Sequence, residues 1–209
     1  KAMKINLDSP VIVFLTTVAD FMILNILFIL CCAPVITIGP AVSALYTITM
    51  REARHEGGYI FKPFFKAFKN NFKQAFLLSI LYLIIGASFV FGVKFWIEKP
   101  EFSTVNQVIL VITGVFAVIF IFSLLYVFAL IARFDNTIFK SVKNAVMLAV
   151  FNLRETFLLT LIHVIVIVLM IFTKGIWIFM IVGGFSVCAY INSLLFIRVF
   201  RQYEKIEGG

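Results

Sequence analysis

Charge is scarce in this chain. Of its 209 residues only 13% are Asp, Glu, Lys or Arg, about half the share of an ordinary soluble domain, and the acidic side chains number 10 against 18 basic ones. With 26 Phe and 63% hydrophobic residues, too few polar positions remain to clothe a water-soluble globule. Cysteine is sparse as well. Cys31 and Cys32 are adjacent and Cys188 lies in another apolar run, so there is neither a disulfide framework nor a metal-ligand spacing. Enzyme signatures are missing: no HExxH, no GxSxG, no phosphate-cradling glycine loop followed by Lys and Ser or Thr, no dense carboxylate cluster. The connections between apolar runs are too short for a catalytic domain, and the chain reads as noncatalytic and without a cofactor. Its first apolar run lacks a basic leader and a small-residue cleavage site, so it reads as a retained helix rather than a signal peptide.

What the chain has in quantity is long apolar sequence, with a mean hydropathy of +1.11. In hydrocarbon every backbone N–H and C=O must be paired internally, which leaves helices or a closed barrel. The runs cover residues 11–33, 35–50, 75–96, 105–132, 156–173 and 175–200. They are continuous, close to the roughly 20 residues that 30 Å of hydrocarbon requires, and lack the alternation of barrel strands. The expected fold is an all-α integral membrane protein forming one transmembrane domain. The second run is broken at its start by PVITIGP, where Pro34, Gly39 and Pro40 fall together and Thr37 or Gly39 is placed to cap a helix beginning at Pro40. Residues 7–50 therefore read as a proline-broken hairpin.

Orientation follows from basic residues, which accumulate in cytoplasmic connections. Arg51, Arg54, Lys62, Lys66, Lys69, Lys73, Arg133, Lys140, Lys143, Arg154, Arg198, Arg201 and Lys205 fall on one side, and only Lys94, Lys99 and Lys174 on the other. The C-terminus and both long connections are then cytoplasmic, and Lys1 and Lys4 place the N-terminus with them. This gives six crossings, or five if the hairpin is one bent span. The net charge of +8 is divided among separate connections, which argues for anionic inner-leaflet lipid rather than nucleic acid.

The chain also resembles itself. NFKQAFLLSIL from Asn71 matches NLRETFLLTLI from Asn152, and in each copy a span ends at an arginine (Arg51, Arg133) before a basic amphipathic stretch leads into the motif. Residues 51–104 and 105–174 read as related units, followed by a last span and tail over 175–209. In the first stretch Phe61, Phe64, Phe65, Phe68, Phe72 and Phe76 form one helical stripe and Lys62, Lys66, Lys69 and Lys73 another. In the second, Ile138, Val142, Ala145, Val146, Ala149 and Leu153 are flanked by Lys140, Lys143 and Arg154. Both read as interfacial helices on the cytoplasmic face, with the basic residues as lipid-phosphate contacts.

Within the spans, Asp20, Asn25, His163 and Asn192 are the costly polar side chains. His163 stands alone and reads as a hydrogen-bonded packing residue. Gly183, Gly184, Ser186, Cys188, Ala189 and Ser193 supply small residues for close helix approach.

The stretch from LDSP through the Asp20 and Asn25 helix, the PVITIGPA turn with SALY after it, FFKAFKNNFKQA, and ARFDNT at 132–137 resembles the YesL family of bacterial membrane proteins of unknown function. Pro34, Thr37, Gly39, Pro40, Ala44, Arg133, Phe134, Asp135 and Asn136 carry the resemblance, which runs over residues 7–160. Residues 11–14 are apolar where the family has a more polar, often basic, first turn. Members are commonly encoded beside carbohydrate ABC importers of gram-positive bacteria. The resemblance thus implies an accessory subunit packed against an ABC permease in the bacterial cytoplasmic membrane. Asp20, Asn25, Pro34, Thr37, Gly39, Pro40, Arg133, Asp135, Asn136, Gly183 and Gly184 are the candidate structural or partner contacts. The alternatives are a self-sufficient small-solute transporter or channel, since transporters place sites at interrupted helices between repeats, and a lipid-interacting scaffold.

Overall fold

A computed structural model describes residues 10–98 and 104–207. Lys1, Lys4, the LDSP residues 7–9 and Lys99, on which part of the expected orientation rests, lie outside the described residues. The elements are α1 (Pro10–Cys32), a 3-10 turn (Val35–Thr37), α2 (Ile38–Ala53), α3 (Phe61–Ile97), α4 (Thr104–Arg133), α5 (Ile138–Phe151), α6 (Leu153–Phe172), α7 (Ile176–Phe179), a π turn (Met180–Gly184) and α8 (Phe185–Glu207). The protein is an all-α polytopic membrane protein.

Five helices are long and apolar enough to cross a bilayer: Val11–Cys32, Phe61–Ile97, Thr104–Arg133, Leu153–Phe172 and Ile176–Glu204. The expected sixth is not among them. At 16 residues α2 is about 24 Å long, short of the roughly 30 Å needed. It is instead the most enclosed element, burying Ala41, Ala44, Leu45, Ile48 and Met50 among α3, α4 and α8.

A second correction concerns the first amphipathic stretch, which is no separate interfacial helix. It forms the opening turns of α3, a 37-residue helix without a break. Pro63 falls in the first turn, where its missing N–H costs nothing, and no later proline interrupts the ladder. Its phenylalanine stripe faces protein more than lipid. Phe64 is fully buried, Phe68, Phe72 and Phe76 are half-buried, and successive rings touch along the stripe at centroid distances of 5.6 Å and 6.0 Å. The second stretch does form its own helix, α5, which buries Ser141, Ala145, Leu148 and Ala149 and packs on α4.

The asparagine of the repeated motif accounts for this difference. Asn71 keeps helical geometry and donates its side chain across to Ser43 Oγ at 2.9 Å. Asn152 leaves it, at φ −114° and ψ 55°, and turns its amide back to Leu148 O at 3.0 Å, closing the end of α5. The buried face of the motif is nonetheless shared: Ala75 and Thr156 are both fully enclosed, as are Leu78 and Leu159.

The core lies toward one end. Ser43 meets Asn71, Thr47 Oγ1 donates to Ala132 O at 3.4 Å, and Arg133 meets Glu204, so α2 and the C-terminal half of α4 pack along the first half of α3 while the C-terminal ends of α4 and α8 meet. The far halves of α3, α4 and α6 expose Leu83, Val90, Phe91, Val111, Ile171 and Phe172, although α3 still meets α4 there through Phe89 and Phe120 at 5.4 Å.

Candidate functional site: polar seams and a basic helical head

The α1–α2 corner is built from PVITIGP. Pro34, exposed, opens the 3-10 turn at φ −78° and ψ 119°. Thr37 sits at the N-cap of α2, yet its hydroxyl accepts no bond from the helix. It donates to Cys31 O and, at 2.7 Å, to Pro34 O, so it closes the end of α1 rather than capping α2. The helix begins at Ile38, and Pro40 falls in its first turn, where backbone donors are free in any case. Gly39 is where the chain needs glycine. A Cβ there would lie 2.8 Å from Ala75 O, 2.9 Å from a Phe128 ring carbon and closer still to Ser79 Oγ. The close helix approach expected at Gly183 and Gly184 is found here instead, since a Cβ at Gly183 would meet nothing within 4 Å and one at Gly184 chiefly flexible Met180 Sδ at 2.5 Å.

Gly183 and Gly184 belong to a different device, which joins them to Asn25. The π turn shifts the α-helical hydrogen-bond register and leaves backbone groups without their usual partners. Asn25, fully buried, takes them: its Nδ2 donates to Met180 O at 2.9 Å and Ile181 O at 2.7 Å, and its Oδ1 accepts from Ser186 N at 3.1 Å. Ser186 Oγ lies 2.8 Å from both Phe21 O and Gly183 O. One carboxamide thus pins α1 to the irregular entry of α8. Phe21 against Tyr190 and Phe28 against Phe185 show that the two helices run antiparallel.

Further seams bind the other end. Tyr126 and Thr156 pair at 2.9 Å, Thr49 and Ser193 at 2.8 Å, and Gln74 Nε2 donates to Asn136 O at 2.7 Å and Ser141 Oγ at 3.0 Å. Arg133 meets Glu204 Oε1 through both Nε and Nη2 at 2.9 Å, and Asn152 Nδ2 donates to Tyr203 OH at 3.1 Å. The ARFDNT string is therefore a latch for the tail of α8, with Thr137 capping α5 through Lys140 N. His163 Nδ1 bonds Leu159 O at 2.8 Å in its own helix, as a packing residue does.

Of the residues singled out in the sequence, the structure brings together Asn25 with Gly183 and Gly184, and Thr37 with Gly39 and Pro40, whereas Arg133 is taken by Glu204 and the Asn136 carbonyl by Gln74. Asp20 and Asp135 are exposed, Asp135 within the ARFDNT latch, and Lys62, Lys66, Lys69, Lys73, Lys140, Lys143 and Arg154 are exposed as well. Ser186, Gln74, Tyr126, Tyr203 and Glu204 escaped sequence reasoning as site residues. Only Gln74, inside the repeated motif, and Ser186, in the small-residue stretch, carried a signal. Among the described residues no group of His, Cys, Asp and Glu stands ready to hold a metal ion.

Residues 21–93 match the family model described as protein of unknown function, DUF624. The matched segment begins inside α1, includes the corner and α2, and ends near the far end of α3. No curated protein and no solved structure matches the chain.

Proposed function

We propose that this protein is a noncatalytic accessory subunit of the bacterial cytoplasmic membrane that associates with the permease of a carbohydrate ABC importer. The observation that carries the reading is how the polar side chains are spent. Asn25, Thr49, Gln74, Tyr126, Asn152 and Thr156 are bonded across helices, which suits holding a bundle in one shape rather than lining a solute path. A groove of about 700 Å³ between α3 and α4, bounded by Gly86, Phe89, Val90, Ala117 and Phe120, is apolar and opens on the outer flank of the helices. The match to a family of unknown function over the corner is in keeping with the YesL resemblance, and from that resemblance comes the importer as partner.

The basic ends of α2, α3, α4 and α8 are then cytoplasmic, as is the C-terminus. Because α1 runs antiparallel to α8, it enters from that same side, and α1 with α2 forms a hairpin whose two ends both lie toward the cytoplasm.

Purification from the native host in mild detergent is expected to co-isolate permease subunits in constant ratio. A lone stable chain from cells that express those subunits overturns the proposal. Solute flux through proteoliposomes of the pure chain favours the transporter reading in its place.

A further inference from the structure

The break-free α3 changes what its lysines are for. Between Lys73 and Lys94 the helix carries no charge over 20 residues, about 30 Å, which is one hydrocarbon thickness. The membrane boundary therefore falls near Lys73. Residues 61–72 continue the same helix beyond it, because lying flat on the interface demands a sharp bend that only a proline, paired small residues or a π bulge supplies. Lys62 stands eleven residues before Lys73, roughly 16 Å along the axis, and a tilt of about 40° still leaves it some 12 Å out, farther than the screening length of about 8 Å in physiological salt. Lys73 and Lys69 stay within the headgroup layer, which reaches about 5–8 Å past the hydrocarbon, whereas Lys66, about 10 Å along the axis, and Lys62 stand beyond it.

The charge is not answered from within. Glu52 and Glu56 are taken by Arg51 at 3.8 Å and Arg54 at 2.8 Å, and among the described residues Lys62, Lys66, Lys69 and Lys73 make no ion pair. Beside them three aromatic rings are bare: Tyr59 is 91% exposed, Phe61 59% and Phe65 41%. Phe61 meets Phe65 edge-on at 5.1 Å, and Phe65 leans on buried Phe64 at 5.7 Å, so these two rings are held in place, while Tyr59 sits in the loop before α3 with its carbonyl bonded by Arg51 at 2.9 Å. Exposed rings of this kind suit the anchors of a protein interface, with the lysines beside them as a polar rim that selects a partner by charge.

We propose that this cytoplasmic end of α3 and the loop before it, with Tyr59, Phe61 and Phe65 as anchors and Lys62 and Lys66 as the charged pair, docks a carboxylate-rich segment of a partner protein. A second copy of this chain does not fit, because it brings lysine against lysine. The inference rests on the accessory-subunit reading and names the chemistry of the contact.

Two measurements on the full chain test it. In vesicles of equal parts phosphatidylethanolamine and phosphatidylglycerol, a nitroxide at Lys66→Cys should be relaxed by an aqueous nickel chelate, while one at Leu83→Cys should answer to oxygen in the lipid. In the native host, a photo-crosslinking residue at Phe61 should join a protein segment containing several Asp or Glu. Replacing Lys62 and Lys66 by Gln should cut that yield about fivefold, as the joint loss of two exposed charge pairs implies, and Arg at the same positions should restore it. A nitroxide at position 66 shielded in the lipid headgroups, crosslinks to lipid alone, or a yield indifferent to the Gln variant overturns the inference. Co-isolation of a permease is read separately, so either idea can fail without the other.

Discussion

Replacing Asn25 by Leu tests the hydrogen bonds of the α1–α8 clamp. Leucine has the same branching and favours the helix at least as well, but its methyl groups are bulkier than the amide, so a packing cost adds to the loss of the polar contacts. Three bonds are lost, to Met180 O, Ile181 O and Ser186 N, at a position with no solvent exposure. Side-chain hydrogen bonds between membrane helices contribute on average about 0.6 and at most about 1.7 kcal/mol each, which brackets the loss at about 2–5 kcal/mol. For a chain of this size each kcal/mol shifts Tm by roughly 2–4 °C, so a loss of about 3 kcal/mol lowers it by around 10 °C. The assay is thermal unfolding of the detergent-purified protein followed by a thiol-reactive dye, with the free and half-buried Cys31, Cys32 and Cys188 as reporters. Asn25→Asp sharpens it. The carboxylate still accepts from Ser186 N but faces two carbonyl oxygens that it cannot serve, so it should be less stable than the Leu variant. A Leu variant unfolding within about 2 °C of the parent, or an Asp variant as stable as the parent, refutes the assignment of that clamp.

Other expectations follow from equally local geometry. Gly39→Ala sets a methyl group against Ala75 O, a backbone atom that cannot move aside, and should lower stability by about 1–3 kcal/mol in the same assay, whereas Gly183→Ala should be nearly neutral. The Arg133–Glu204 pair is about one-third exposed on each side, so a double-mutant cycle through Arg133→Gln and Glu204→Gln should give a coupling of about 1 kcal/mol or less that shrinks as salt is raised. In the oriented membrane, Lys66→Cys should react with an impermeant thiol reagent only from the cytoplasmic side and Lys94→Cys only from the opposite side; labelling of both from one side contradicts the proposed topology.

The far helices were legible because composition alone decides them. Residues 105–132 and 156–173 are apolar without interruption, and α4 and α6 follow them within a few positions. The first half of α3 was legible as a helix but not as a continuation of the span, since a phenylalanine stripe beside lysines fits an interfacial helix as well as a helix packed on α2. Only the tertiary partner decides between them. The Asn25 clamp was half visible: an asparagine in an apolar run announces a bonded partner, while the π turn that supplies it depends on the register of a helix some 155 residues away. Gly39 and Gly183 illustrate the same limit. Both are glycines in apolar surroundings, and what distinguishes them is a backbone oxygen from another helix.

The account turns on contact with other membrane subunits, and native mass spectrometry of the tagged chain released directly from native-host membranes tests that most directly. The account predicts a dominant species in which the 23.7 kDa chain is bound to another integral membrane protein, dissociating into the two on activation. A spectrum containing the chain alone, with no more than lipid attached, from membranes that hold the permease contradicts it.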